Sequence, residues 1–449
     1  MQLTHAFSIK HKDVVSLVGA GGKTTTMFRL AEELVAQNKR VVTTTTTRLL
    51  RAQTDLTPFC IYAENREQAI RDLRAALQEH SHVLIVSAMA ESEKVLGIEP
   101  MLVDEIAALD EVDAVIVEAD GARGRPFKAP DAHEPVIPAA TTLLVPVIGI
   151  DAVGARLDDE HAHRAERITA LAGAHVGAVI EAELVARVIA HAQGGLKNRP
   201  ARARVIPFIN KVQDDAQRRA AREIAVCLLQ CAAIGAVAIG AARDAVMPVV
   251  ELRQHVAAII LAAGGSTRMG GALKQLLPWG DSTMVRHAVE VASRAQVAEI
   301  IVVIGNQAAQ VEKELGGVAG KIVFNPDWAQ GRSASIRVGL NALSPNCAAV
   351  LFINADQSFL TTRVIDSIVL CYAQTLAPLG VPVYAGETGS PVLFARTLFD
   401  ELKQLRGENG GKQILDARCA DAARVNIPDA HAARDIDTLA EYRAARDDA

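Results

Sequence analysis

Two stretches of this chain bring glycine, hydroxyl groups and fixed positive charge close enough together to hold phosphate. The longer lies just past the middle, from Val256 to Gly280. Its apolar run Val256–Leu261 leads into the small residues Ala262, Ala263, Gly264 and Gly265, and then into Arg268 and Lys274. Small side chains let phosphates approach main-chain N–H groups, and glycine tolerates the φ values such a loop needs. Arg268 and Lys274 add cationic charge, so the stretch suits a triphosphate. The second stretch is Gly19-Ala20-Gly21-Gly22-Lys23-Thr24-Thr25. Gly22-Lys23-Thr24 matches the end of a P-loop, whose lysine reaches β/γ-phosphates and whose hydroxyl sits on Mg²⁺. The first glycine of that pattern would fall on Leu17, so the loop is shorter or differently shaped, and hydrolysis does not follow from it.

Each loop is followed by an acid at the end of a later apolar strand. Asp113–Glu118 runs into Ala119 and Asp120, and Ala348–Asn354 runs into Ala355 and Asp356. A carboxylate at the carboxyl edge of an open α/β sheet is where Mg²⁺ and nucleotide meet. Glu118 and Asp120 are therefore candidate metal ligands of the first half, and Asp356 of the second. Three other features have two readings each. Thr43–Thr47 with Arg48 is either a solvated strand edge or a hydroxyl row facing a nucleotide. His133-Glu134 is either polar surface or a metal or substrate contact. Asn210-Lys211-Val212-Gln213 looks like a worn guanine-recognition motif in which Gln213 replaces the aspartate, which makes guanine specificity doubtful.

The elements that would position these groups alternate. Asp13–Gly19 reads as a strand, and Met27, Leu30, Ala31 and Leu34 give the next segment a helical buried face. Glu299–Gly305 and Lys321–Asn325 read as buried strands. Ser282–Ala295 reads as a helix capped by Ser282 or Thr283, with Met284, Ala288, Val291 and Ala295 inward. Alternating strands and helices predict α/β architecture: two doubly wound, Rossmann-like three-layer domains, the first P-loop-like and spanning 1–250, the second spanning 251–449. Met247-Pro248 breaks the pattern at the boundary.

Composition narrows the classes. Half of the 449 residues are hydrophobic and 22% are charged, enough for two cores. A net charge of −5 and 4% aromatics provide neither the basic footprint nor the stacking platforms of a nucleic-acid binder. No apolar run reaches the roughly 20 residues that span a bilayer, and Met1–Lys12 lacks the apolar core of a signal peptide. The expectation is a cytoplasmic protein with no nucleic-acid or membrane partner. The six cysteines form no C-x-x-C pair; Cys227 and Cys231 read as core packing.

The stretch Leu261-Ala262-Ala263-Gly264-Gly265-Ser266-Thr267-Arg268-Met269-Gly270, with Lys274, resembles the NTP-binding signature of the MobA-like nucleotidyltransferases. Residues 256–445 carry the resemblance, including Asn325-Pro326-Asp327-Trp328, Gly331, Ser335, Arg337 and Gly339. It implies a fold of the nucleotide-diphospho-sugar transferase type, with Ser335 beside the nucleotide. Asp435-Ile436-Asp437-Thr438 matches a further family motif, which implies that one of these aspartates, Asp437 foremost, completes the metal site; helix capping is the other reading. Several positions depart from the family, among them Ala355 for glycine, Ser358 for proline, Ser390 for histidine, Glu408 for aspartate and Lys412 for arginine. The first half resembles the YqeC-like accessory proteins of selenium-dependent molybdenum hydroxylases. That resemblance rests on Val18–Thr25, Thr43–Arg48, Glu118–Arg123, Lys128-Ala129-Pro130, His133–Pro138, His163-Arg164 and Asn210-Lys211.

Within the MobA-like group the chain looks most like the molybdenum-cofactor cytidylyltransferases, because Ala263 stands where GTP-using branches have glycine. The resemblance implies transfer of CMP from CTP to molybdopterin, with Arg268 and Lys274 on the triphosphate and Mg²⁺ on Asp356. For the first half it implies a second nucleotide, held by Gly19, Gly21, Gly22, Lys23, Thr24 and Thr25, and an apo molybdenum hydroxylase as partner. The alternatives are another phosphate acceptor, or a carrier or insertion chaperone that binds the cofactor without turnover.

Overall fold

Apolar, β-branched runs form the central strands of two separate sheets in the computed structural model, which describes residues 1–88, 93–265, 273–436 and 438–447. The chain divides into the units Met1–Arg253 and Gln254–Ala449.

In the first unit, strands β1 (Asp13–Gly19), β2 (Val41–Thr45), β3 (Cys60–Tyr62), β4 (His82–Val86), β5 (Ala114–Glu118), β6 (Leu143–Gly149), β7 (Phe208–Asn210), β8 (Ala236–Gly240) and β9 (Val249–Gln254) lie in the order β9-β8-β7-β6-β1-β5-β2-β4-β3. The pairings from β3 through to β8 are parallel. Helix α1 (Lys23–Ala36) follows β1 and packs over β1, β2 and β5. Its Met27, Leu30, Ala31 and Leu34 are all buried, as their spacing predicts. On the other face, Val14 and Val18 share a core with Leu73, Val103, Ile168, Val185 and Ile224 from five further helices. Strands covered on both faces explain the unbroken apolar runs. Thr43, Thr44 and Thr45 are fully buried, while Thr46 and Thr47 are half-buried and Arg48 is exposed, so only the end of the threonine row reaches the surface.

From β1 the chain goes to β2 on one side, then returns to place β5 and β6 against the two flanks of β1. The carboxyl end of β1 is thus a switch point of the sheet, where such folds bind ligands. There the backbone turns on Gly21, at φ +79°. A Cβ on Gly21 would lie 2.0 Å from the Gly149 nitrogen at the end of β6, so only glycine allows this approach.

The second unit has strands β10 (Val256–Ala262), β11 (Glu299–Ile304), β12 (Lys321–Phe324), β13 (Ala349–Asn354), β14 (Leu379–Tyr384), β15 (Val392–Ala395) and β16 (Ala422–Ile427). The order is β12-β11-β10-β13-β15-β14, with β16 parallel on β14 and β15 antiparallel to both neighbours. Residues of β10 alternate between two cores. Ala258, Ile260 and Ala262 meet Val285, Val289, Ile365 and Ile368 on one face, and Ala257 and Ile259 meet Ile336, Leu340 and Leu402 on the other. Helices therefore cover both faces, giving three layers. The switch point lies between β10 and β13.

Two expectations are corrected. Lys321–Phe324 is a partly exposed edge strand, not a buried one, and its Phe324 is 54% exposed. The helix read as Ser282–Ala295 is Met284–Ser293 (α2), because Ser282 and Thr283 pair as a short strand with Pro278 and Trp279. Thr283 holds the N-cap position without a side-chain capping bond, its Oγ1 donating to Glu314 Oε1 at 3.3 Å. Cys227 and Cys231 pack partly buried against the first core, although the helix ends at Leu229, before Cys231. Among the described residues, no helix is long and apolar enough to cross a membrane.

Gly21→Ala forces a methyl group into the β6 backbone at positive φ. It should cost the first unit about 2–3 kcal/mol. Calorimetry of the full chain should show the first unit's transition lowered and the second unit's in place; an unchanged first transition would mean the loop relaxes freely.

Candidate functional site

The first candidate site surrounds the glycine loop after β1. The Ala20 N–H donates to Val147 O at 2.9 Å and the Gly21 N–H to Arg125 O at 3.2 Å. Asn210 Nδ2 donates to Gly21 O at 2.9 Å, while Asn210 Oδ1 accepts from Ala242 N at 2.9 Å. Asn210 is therefore a brace for the loop, with both ends of its amide engaged. Lys211 pairs with Asp151 at 2.7 Å. Past the brace, the first-turn amides of Lys23, Thr24 and Thr25 have no protein acceptor among the described residues. A helix start with open amides and positive dipole favours an anion.

Lys23 does not extend into that space. It is buried, and its Nζ donates to Gly19 O at 2.7 Å, 3.3 Å from Asp120 Oδ1 and 3.7 Å from Glu118 Oε1. Thr24 Oγ1 donates to Glu118 Oε2 at 2.7 Å. Asp120 Oδ2 accepts from the Gly19 N–H and lies 3.0 Å from Lys128 Nζ. Lys128 continues to Glu134 at 2.8 Å, and Glu134 to Arg164 at 2.7 Å. Burial works against the Lys23 ammonium, but Asp120 and Glu118 outweigh it and raise its pKa. Burial likewise raises the Glu118 pKa, with Lys23 and Thr24 acting against the rise. Asp120 Oδ1 is buried without a hydrogen bond.

Glu134 is a buried member of this charge chain and not polar surface, while His133 beside it is 74% exposed in its side chain. Burial would raise the Glu134 pKa, but hydrogen bonds from Arg164 and Lys128 override it and bring it down to about 2. Among the described residues no group of three or more His, Cys, Asp or Glu side chains could hold a metal ion. Glu118 and Asp120 with the Thr24 hydroxyl are an all-oxygen set of the kind Mg²⁺ takes when phosphates and water complete its shell.

The second candidate site lies after β10. Leu261 and Ala262 end the strand, and Ala263, Gly264 and Gly265 form the loop. Gln275 Nε2 donates to Ala262 O at 3.1 Å and Gly264 O at 2.8 Å, which pins it. Trp328 packs on Gly265 and Gly305 from the side; a Cβ on Gly305 would lie 2.6 Å from the Trp328 Cβ. Lys274 Nζ meets Asp356 Oδ2 at 2.6 Å, and Asp356 Oδ1 is buried without a hydrogen bond. Ser335 is buried, and its Oγ accepts from Asn325 Nδ2 at 3.0 Å, which ties helix α3 (Arg332–Asn341) to the turn after β12. Arg268 and Asp437 lie outside the described residues.

Beside this loop opens a cavity of about 740 Å³. Leu261, Phe352, Val392 and Phe394 line it with apolar surface, and Arg332 and Lys412 bring cations to it. Arg332 hydrogen-bonds Asn354, at the end of β13. Sequence reading missed Gln275, Arg332 and Asn354. Only Arg332 carried a local signal, as a cation one residue after Gly331 at a helix start.

Each unit is a doubly wound sheet with a glycine loop and a strand-end carboxylate at its switch point, and comparison with known proteins gives the families. Residues 15–166 match the YqeC protein family, and residues 258–423 match the MobA-like NTP transferase domain. YqeC of Escherichia coli (strain K12), an uncharacterized protein, is 36% identical over 204 residues, which are 45% of this chain and 77% of that protein. The molybdenum cofactor cytidylyltransferase of the same organism is 28% identical over 199 residues, 42% of this chain and 94% of the relative. Among solved structures, the Rv0371c homologue from Mycobacterium sp. strain JC1 is 27% identical over 43% of this chain and 96% of its own, with a TM-score of 0.39. The chain belongs to the YqeC family through its first unit, and its second unit is a MobA-like nucleotidyltransferase domain.

The Glu134 pKa lies below the ordinary glutamate value of 4.5 in the folded protein. Its stabilisation is complete above that value and is lost as the pH falls toward 2, an effect of up to about 3 kcal/mol. Urea titrations from pH 5 to 2 should show a steep loss for the wild type and a shallower slope for Glu134→Gln; equal slopes would remove Glu134 from the acid transition.

Proposed function

We propose that the second unit transfers CMP from CTP to the terminal phosphate of molybdopterin and releases pyrophosphate. The observation that carries this reading is the shared edge of loop and cavity. The cavity meets the glycine-loop strand at Leu261 and reaches Asn354, two residues before Asp356. A triphosphate on the loop and an acceptor in the cavity would then face each other across the end of β10 and β13. The likeness to a molybdenum cofactor cytidylyltransferase supports this choice of donor and acceptor.

The chemistry needs no protein nucleophile. An oxygen of the acceptor phosphate attacks the α-phosphorus of CTP, and the bond from that phosphorus to the bridging oxygen of the β-phosphate breaks. Pyrophosphate leaves with the bonding pair. The protein positions the two phosphates in line and offsets their charge. Loop amides around Gly264 and Gly265 approach the phosphates. Arg268 and Lys274 hold the triphosphate, Lys274 after parting from Asp356. Arg332 and Lys412 orient an anionic acceptor over the apolar floor. Asp356, with Asp437, would hold Mg²⁺, which when bound would offset the charge that builds on the departing pyrophosphate.

The first unit binds a second nucleotide with Mg²⁺ through Gly19–Thr25, Glu118 and Asp120. It serves the same pathway as an accessory that prepares or delivers cofactor to a molybdenum hydroxylase.

Full-length protein supplied with molybdopterin, Mg²⁺ and each NTP in turn should yield a molybdopterin–CMP product by mass, with one pyrophosphate released per product, and only with CTP. Product with another NTP would change the donor; tight cofactor binding with no product would make the protein a carrier. Asp356→Asn should lower turnover by at least about 10²-fold, on the scale of losing one stabiliser of developing charge. Wild-type turnover at saturating Mg²⁺ would remove Asp356 from the site.

A further inference from the structure

Lys23 stands in the first unit where a P-loop lysine would meet nucleotide phosphates, yet its ammonium is turned inward. Its neighbours there are two carboxylates, Asp120 and Glu118, both buried. The wider chain is balanced: Lys23, Lys128 and Arg164 offset Glu118, Asp120 and Glu134 through contacts of 2.7–3.7 Å. Lys128 cannot take over from Lys23. It already serves Asp120 Oδ2, Glu134 Oε2 and Gly121 O. If Lys23 swung out to an anion alone, Glu118 and Asp120 would keep one uncompensated charge in a buried site, which is strongly disfavoured.

From this geometry we infer that Lys23 is the resident counter-cation of a divalent-metal site formed by Glu118, Asp120 and Thr24, and that only a metal–nucleotide complex exchanges with it. This inference deepens the reading of the first unit as a Mg²⁺–nucleotide site and rests on it. Three features support the exchange. The carboxylate and hydroxyl oxygens suit a hard cation. Asp120 Oδ1 is buried without a well-formed hydrogen bond and faces the Lys23 ammonium at 3.3 Å, so a metal that displaces Lys23 takes over an ion-pair contact and breaks no hydrogen bond at that oxygen. The open amides of Lys23, Thr24 and Thr25 lie at the start of the helix that carries Lys23, so phosphates bound there would receive the ammonium as the metal takes its place.

The consequence is a strong mutual requirement. Free metal has to evict an ammonium that has no anion to receive it. Free nucleotide has to draw out an ammonium and leave bare carboxylates. Each ligand alone binds weakly, and the pair binds tightly, with reciprocal coupling. The first unit would thus ignore free divalent ions and metal-free nucleotide, and respond to the complex.

The test uses the full chain with Asp356→Asn, so that the second unit's carboxylate does not contribute, and Mn²⁺ as the spectroscopic probe for Mg²⁺. Lys23→Met removes the ammonium and keeps the bulk. It should bind Mn²⁺ alone at least tenfold more tightly than the protein with Lys23. Mn²⁺ should also raise the melting temperature of the first unit's transition in Lys23→Met and leave it almost unmoved when Lys23 is present. Equal Mn²⁺ affinity with and without Lys23 overturns the inference. Should Lys23→Met fail to fold without metal, Asp120→Asn with Lys23 intact decides. It should bring the affinity for mant-labelled ATP or GTP in EDTA to within a few-fold of that with Mn²⁺. A metal requirement as large as in the parent protein overturns the inference. If neither mant-nucleotide binds the parent protein with Mn²⁺ while Lys23→Met gains Mn²⁺ affinity, the nucleotide reading fails and the counter-cation stands.

Discussion

A carboxylate at the carboxyl end of a buried strand needs a compensating charge, and in both units a lysine from the glycine-loop region supplies it. Lys23 lies against Asp120 and Glu118, and Lys274 lies 2.6 Å from Asp356. An isolated ionised carboxylate in such a place would cost several kcal/mol or take up a proton. The pairings explain why each loop can be rich in glycine and still be ordered. The lysine ties the loop region to a strand that arrives nearly a hundred residues later in the first unit and about eighty later in the second. They also give each site an ion pair that phosphate and a divalent cation can jointly replace.

The sheets make these pairings possible. In the second unit the chain leaves β10 on one side and returns on the other as β13, whereas in the first it leaves to β2 and later inserts β5 between β1 and β2; in both, the loop after the central strand opens beside the end of the acid-bearing strand. The two units differ in how the loop is held. In the first, Asn210 and the β6 backbone brace it, and Gly21 has to be glycine for the approach. In the second, Gln275 bonds to two loop carbonyls and Trp328 packs alongside. Among the described residues, a cavity of about 740 Å³ opens beside the loop of the second unit, with room for an acceptor as well as a donor.

Much of this was legible in the sequence, and the limits have physical causes. Asp13–Gly19, Val256–Leu261 and the inward residues of Lys23–Ala36 follow from periodicity, because burial on both faces or on one leaves a local pattern. Lys321–Phe324 misled because an edge strand can be apolar without being covered. The loops and strand-end acids were visible because glycine and charge at fixed spacing are local. Their pairing was not: nothing near Lys23 in the sequence indicates that its ammonium turns toward Asp120. Asn210 resembled a base-reading residue, and only the fold shows both ends of its amide spent on Gly21 and Ala242. Glu134 could not be told from a solvated acid, since its partners Lys128 and Arg164 are brought to it by the fold. The cavity draws on β10, β13, β15, helix α3 and the 408–416 segment, so no single stretch could announce it.

The most direct measurement of the shared device is a double-mutant cycle between Lys274→Met and Asp356→Asn, read as the stability of the second unit. The ion pair predicts a coupling of about 1–3 kcal/mol in EDTA that falls to near zero with saturating Mg²⁺ and CTP, because the two side chains then have separate partners. A coupling that is absent in EDTA, or that persists undiminished with Mg²⁺ and CTP, would contradict a lysine that neutralises the carboxylate until substrate and metal arrive.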